Sequence, residues 1–175
     1  MTFLILGLAL FLGVHSARIV AEGPRQAFIA KHGANAWKGL YTLVSLAGFA
    51  LIVWGYGLAR QEPVALWPPL IWMRHVAALL TLPAFVMIAA AYVPGNGIKA
   101  RLHHPMMLGI KTWALAHLIA NHTLPDLLLF GGFLAWSVAA FVAARRRDRA
   151  QGTTYPPGRA GPTIAAVAIG AIAWA

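Results

Sequence analysis

Four of the seven histidines lie within or beside long apolar segments, where an ionisable side chain is costly and usually functional. They are His15, His75, His104 and His117. Neutral imidazole is the commonest metal ligand in proteins, and it is also an axial ligand of haem iron. The chain has no cysteine, and no two acids share an apolar segment. These residue types therefore favour imidazole ligation of a metal or a haem iron over thiolate or paired-carboxylate chemistry.

His117 has the most informative sequence neighbours. Gly109, Trp113, His117 and Asn121 recur every fourth residue and form one slowly drifting stripe on a helix. A stripe of one small residue, one aromatic ring and two polar groups does not suit lipid contact, so we expect it to face the bundle interior. Trp113, His117 and Asn121 are thus candidates for binding a cofactor. The alternative is that His117 only hydrogen-bonds a neighbouring helix.

The other histidines lie nearer the ends of apolar segments. His15 is in the last third of the first segment, His75 is near the start of the third, and His104 precedes the fourth. Each is a candidate cofactor ligand, with contact to lipid headgroups or water as the alternative. His32 and His122 lie in polar surroundings, and we interpret them as solvated.

The composition requires lipid as the main solvent. Hydrophobic residues make up 60% of the chain and charged residues 10%, whereas soluble domains carry about 25% charged residues. A spanning helix needs about 20 mostly apolar residues. The pattern predicts an all-α, polytopic membrane helical bundle of about six transmembrane helices, as a single domain over residues 1–175. The predicted spans are residues 2–20, 37–59, 72–93, 105–122, 125–144 and 164–175.

The segments between these spans are polar. Residues 22–36 predict an interfacial loop or short helix, residues 61–69 a turn, residues 94–104 a polar loop and residues 145–162 a basic loop. The last span has only 12 residues. At a rise of about 1.5 Å per residue it covers about 18 Å, less than the hydrocarbon core of about 30 Å. We therefore expect the sixth helix to be incomplete in this chain.

The formal charge of +10 is unevenly distributed. The first, third and fifth loops carry most lysines and arginines, the second carries Arg60, and the fourth carries none. Positively charged loops face the cytoplasm, so we expect the N-terminus outside and the odd-numbered loops inside. Because the basic residues alternate with apolar runs, the expected partner is the lipid bilayer and not nucleic acid.

The segment 103–121 reads His-His-Pro-Met-Met-Leu-Gly-Ile-Lys-Thr-Trp-Ala-Leu-Ala-His-Leu-Ile-Ala-Asn, and it resembles the signature of the NnrU family. His15-Ser16 at the end of an apolar helix and the basic stretch 145–149 resemble the same family. The family consists of bacterial inner-membrane proteins associated with denitrification and nitric oxide metabolism. It is similar to plant zeta-carotene isomerase, a membrane enzyme that uses haem b.

The resemblance implies His15 and His117 as the axial ligands of haem b, with His104 and His75 matching two further histidines. The isomerase has a cysteine where this chain has Ala114. The depth of the residues in their helices favours a different pair. His15 lies roughly 8 Å and His117 roughly 18 Å from the cytoplasmic helix ends, and axial nitrogens must be about 4 Å apart because metal–imidazole bonds are about 2 Å long. By depth, His75 and His117 match better.

Two other functions remain open, and whether the chain is an enzyme is undecided. The histidine-proline-glycine segment also resembles membrane methyltransferases of the isoprenylcysteine type, which use S-adenosylmethionine. Those enzymes carry acidic residues near the C-terminal motif, where this chain offers only Asp148. The second is a non-catalytic membrane assembly factor whose histidines only join helices. With haem, the expected chemistry is redox or isomerisation of a lipophilic or nitrogen-oxide-linked substrate.

Overall fold

The computed structural model describes residues 1–68 and 70–175, and helices account for most of them. Those residues contain nine helices and no named strand, which confirms the all-α prediction. The helices are α1 Thr2–His15, α2 Ala17–Val20, α3 Glu22–His32, α4 Ala34–Ala59, α5 Ile71–Tyr92, α6 Gly97–Leu102, α7 Pro105–Ala120, α8 Leu124–Gln151 and α9 Ala160–Trp174.

Within the described part of the chain, α4, α5 and α8 are long and apolar enough to cross a membrane, and α1 and α9 are shorter apolar helices. Large apolar side chains on these helices point away from the protein. Leu43 is 69%, Leu79 70% and Ile172 77% exposed. Exposed apolar surface of this extent needs lipid as its solvent. The protein is therefore a helical membrane protein; the inner membrane and the inside position of the basic loops stay predictions.

Several predicted boundaries need correction. The first span ends earlier, because α1 stops at His15 and the Ser16 hydroxyl donates to the Leu12 carbonyl at 2.7 Å. The polar loop at 94–104 contains α6. The basic loop at 145–162 is helical as far as Gln151, since Arg, Ala and Gln are good helix formers. The turn predicted at 61–69 is non-helical through residue 68, and Pro69 lies outside the described residues.

The chain forms two compact units. Unit 1 comprises Met1–Trp67 and Thr123–Gly132. In it α1 packs directly against α4 at Gly7, Gly48 and Gly55. A Cβ atom added at any of them would lie 2.3–2.7 Å from a backbone nitrogen of the facing helix. Helices approach this closely in membranes only where small residues lie at the interface.

Unit 2 comprises Pro68–His122 and Phe133–Ala175. In it α5 packs against both α7 and α9. Gly109 of α7 is buried, and a Cβ atom added there would lie 2.8 Å from the Ala84 carbonyl oxygen of α5. The start of the predicted stripe on α7 therefore faces a neighbouring helix, as expected for an interior face. The single domain over residues 1–175 stays a prediction.

Candidate functional site

His15 occupies the last turn of α1 in unit 1 and is half-buried. Its Nδ1 lies 2.6 Å from the Phe11 carbonyl oxygen. A carbonyl oxygen only accepts, so Nδ1 carries the proton of this hydrogen bond, and Nε2 has the lone pair when the ring is neutral. The ring stacks on Phe11 with centroids 4.2 Å apart and lies 5.0 Å from the Tyr41 ring. The backbone of its own helix thus fixes the tautomer of the ring and leaves the lone pair of the neutral imidazole on Nε2.

His117 lies in the last turn of α7 in unit 2 and is half-buried. Its ring meets Trp113 edge-on with centroids 4.9 Å apart. Its carbonyl oxygen accepts from the backbone N–H of Asn121 at 2.9 Å and from the Asn121 side-chain amide at 2.8 Å. Asn121 therefore caps the carboxyl end of α7. The cofactor-binding roles of His117, Trp113 and Asn121 stay predictions.

His75 is exposed on the second turn of α5, and its side chain makes no hydrogen bond, ion pair or ring contact with another described residue. Depth in the helices gave His75 as an alternative ligand. In unit 2 it lies on a surface and is not packed into a polar cluster. Its ligand role also stays a prediction.

The best-defined polar cluster in unit 2 forms around His104, which occupies the N-cap position of α7. His104 Nε2 lies 2.7 Å from Asp148 Oδ2, and both side chains are largely buried, at 21% and 16% exposed. The Tyr155 hydroxyl donates to the same carboxylate oxygen at 3.0 Å. Burial and the Asp148 carboxylate raise the pKa of the Tyr155 phenol above its ordinary value, so this hydroxyl keeps its proton at neutral pH.

His103 completes this cluster. Its backbone φ is +65°, which is unusual for a residue other than glycine. Its ring lies parallel to the Tyr155 ring, with centroids 4.1 Å apart and an interplanar angle of 1°. The Arg145 guanidinium donates to its Nδ1. A residue in a rare backbone region persists only where its surroundings hold it, and here a stacked ring and a guanidinium do so.

Sequence reasoning identified His104 but not the residues that surround it. His103, Arg145 and Tyr155 were missed as site residues, and Asp148 entered only as part of the basic stretch that resembles the NnrU family and as a possible methyltransferase feature. One signal was available, since Asp148 is the only acid after Asp126 and lies within a run of arginines. An isolated acid within a basic run suggests a specific partner, and in the structure Asp148 is bonded to the His104 imidazole and the Tyr155 phenol.

Among the described residues, no group of three or more His, Cys, Asp or Glu side chains is placed to hold a metal ion. A haem needs fewer protein ligands, because the porphyrin supplies four nitrogens and the protein one or two. His15 belongs to unit 1 and His117 to unit 2. The pairing implied by the resemblance therefore stays a prediction.

The family assignment rests on a comparison with protein families. The family described as "NnrU protein" matches this chain over residues 3–175. Because the match covers nearly the whole chain, the protein belongs to the NnrU family. Searches of curated proteins and of solved structures gave no match.

Proposed function

We propose that this NnrU-family membrane protein binds haem b, with His15 as an axial ligand. The observation that supports the proposal is the hydrogen bond of His15 Nδ1 to the Phe11 carbonyl at 2.6 Å. Histidines that bind metals usually donate their second N–H to a carbonyl or carboxylate, which fixes the tautomer and the ring orientation. His15 has this arrangement. The proposed role is redox or isomerase chemistry linked to denitrification and nitric oxide metabolism.

The residues near His15 fit a porphyrin better than a hydrated ion. Phe11 stacks on the imidazole, and Tyr41 contributes a second ring. Aromatic walls suit an apolar macrocycle, whereas a divalent cation would need several polar ligands. When bound, haem supplies an iron centre that exchanges electrons and takes up small ligands. The chain supplies the orientation of the imidazole and the apolar surroundings.

The His104–Asp148 pair offers a place to hold a proton. With Nε2 donating to Asp148 Oδ2, a neutral His104 carries its lone pair on Nδ1. That nitrogen has no hydrogen-bond partner among the described residues. An imidazole oriented by a carboxylate is a common general acid or base. Reduction of a nitrogen oxide consumes protons as well as electrons, so this pair fits the redox form of the proposed chemistry.

The test is an absorption spectrum of the purified full chain after supplementation with haem. We expect a Soret band in the wild type that is lost or strongly shifted in His15→Ala. The matched control is His32→Ala, because His32 is exposed on α3 and its ring contacts Phe28 of the same helix. A parallel His117→Ala variant tests the second ligand that the family resemblance implies.

Two results would contradict the proposal. One is the absence of a Soret band in well-folded wild type, and the other is an identical spectrum in His15→Ala and His32→Ala. The same preparation tests the methyltransferase alternative, through calorimetric titration with S-adenosylmethionine. A non-catalytic assembly factor would bind neither compound.

A further inference from the structure

Unit 2 contains a cavity between α6 and the start of α9, which we call the α6–α9 cavity. Its volume is about 710 Å³, within the range of about 300–1,000 Å³ typical of small-molecule sites. Its polar lining comes from Arg101, Tyr155, Arg159 and Thr163. The proposed haem ligands do not line it, so it is a second site with its own ligand chemistry.

The walls of the cavity are held by the backbone. The Arg159 N–H donates to the Gly95 carbonyl at 2.8 Å, and the Gly97 N–H donates to the Thr163 hydroxyl at 2.8 Å. A Cβ atom added at Gly158 would lie 2.2 Å from the Gly97 Cα, so the two backbones are in direct contact. The cavity is therefore formed without a ligand, which lowers the entropy lost on binding.

The electrostatics of the cavity favour an anion. Arg101 and Arg159 line it, no acidic residue does, and neither guanidinium has an ion pair or a side-chain hydrogen bond with another described residue. Asp148 is the only acid in the sequence of unit 2, against nine lysines and arginines. Its carboxylate already accepts hydrogen bonds from His104 and Tyr155. Unit 2 therefore offers no further carboxylate to balance the two guanidiniums, and an anion that enters the cavity would do so.

The lining also has an apolar side. Ile98 and Ile164 contribute to it, and Ile164 is 69% exposed at the start of the apolar helix α9. Guanidinium groups match phosphate oxygens in geometry and charge, and basic pockets beside membrane helices bind anionic headgroups. We propose that the α6–α9 cavity binds the phosphate of an anionic phospholipid, with Arg101 and Arg159 as its cationic partners and the isoleucines against its glycerol backbone.

The experiment is native mass spectrometry of the delipidated full chain in a non-ionic detergent. The probes are phosphatidylglycerol, phosphatidylcholine and inorganic phosphate. We expect one phosphatidylglycerol to be retained in preference to phosphatidylcholine, whose choline cancels the phosphate charge. In Arg101→Gln/Arg159→Gln the apparent affinity for phosphatidylglycerol should fall by about tenfold or more, because both charged partners are removed.

The matched control is Arg146→Gln/Arg149→Gln, which removes the same charge from exposed positions on α8 outside the cavity. Its affinity should stay within about twofold of wild type, because neither of these two arginines lines the cavity. Circular dichroism checks folding, and Arg101→Lys/Arg159→Lys, which keeps the charge, should retain part of the binding. Equal losses in the two glutamine variants would overturn the proposal. Inorganic phosphate that displaces phosphatidylglycerol at equal concentration would also overturn it, because the site would then hold free phosphate.

Discussion

Replacing Gly55 with alanine tests whether direct contact between α1 and α4 holds unit 1 together. A Cβ atom at this position would lie 2.3 Å from the Leu4 nitrogen and 2.6 Å from the Phe3 carbonyl carbon. Favourable contacts between heavy atoms lie near 3.5–4.0 Å. These neighbours are backbone atoms, and Leu4 is completely buried. The contact can therefore be relieved only by moving one helix away from the other.

The expected cost follows from this geometry. Inserting a methyl group into a packed interface costs about 1–3 kcal/mol, and we expect Gly55→Ala to lower the free energy of unfolding by that amount. Gly57→Ala is the matched control, because it lies on the same helix and nothing is within 4 Å of its added Cβ. Alanine favours a helix over glycine by up to about 1 kcal/mol, so the control should leave stability unchanged or raise it.

The assay is unfolding of the detergent-solubilised chain by increasing SDS, followed by circular dichroism. The midpoint should fall for Gly55→Ala and stay or rise for Gly57→Ala. Equal midpoints for Gly55→Ala and wild type would refute the reasoning, as would equal destabilisation by both substitutions. The haem spectrum adds a functional readout, because α1 carries His15 and a displaced α1 would move the imidazole away from Tyr41.

Two further predictions concern the buried acids. Asp126→Ala removes the acceptor of the Tyr56 hydroxyl at 2.5 Å and of the Thr123 N–H at 3.1 Å. SDS unfolding should show that the free energy of unfolding falls by about 1–3 kcal/mol, whereas Tyr56→Phe, which removes one of these bonds, should lower it by about 1 kcal/mol. Equal losses in the two variants would contradict this. Asp148→Asn should lower the pKa of Tyr155 towards its ordinary value. The measurement is a pH titration of tyrosinate absorbance, in which the signal of Tyr155 is identified as the part that disappears in Tyr155→Phe. An unchanged midpoint in Asp148→Asn would argue against the hydrogen bond. Because folding raises the pKa of Tyr155, the protonated phenol stabilises the folded protein. This contribution is fully present below the ordinary pKa of about 10 and is lost as pH rises through the folded-state pKa.

The long helices could be predicted because their signals are local. The second span was predicted at 37–59 and is found as Ala34–Ala59, and the third at 72–93 is found as Ile71–Tyr92. An apolar run of about 20 residues has few alternatives in lipid. The helix at Glu22–His32 lies in the segment 22–36, where a loop or a short helix was predicted. The helix at Gly97–Leu102 was predicted as a loop, because its short polar sequence resembles one. Whether such short segments form helices depends on packing and capping. In α6, for example, the Asn96 side chain caps the helix by accepting from the Lys99 N–H at 2.8 Å.

The candidate site was less predictable because its partners are distant in the chain. His104 and Asp148 are 44 residues apart, and only the fold shows that they meet. Periodicity placed Gly109 on an interior face correctly, but it could not show that Asn121 would cap its own helix. By contrast, the bond of His15 to Phe11 spans one helical turn. Such a contact follows from helix geometry once the helix is predicted to reach His15.

The use of the acids supports the proposal that this protein binds anionic lipid. Of the four acids, Asp126 and Asp148 accept their short hydrogen bonds from hydroxyl, amide or imidazole groups. Glu22 pairs with arginines on its own stretch of the chain. The acids therefore leave most of the 14 lysines and arginines uncompensated. An anionic headgroup contributes about 1 kcal/mol per nearby basic residue. In unit 2, the α6–α9 cavity is lined by two such cations and is large enough for a headgroup.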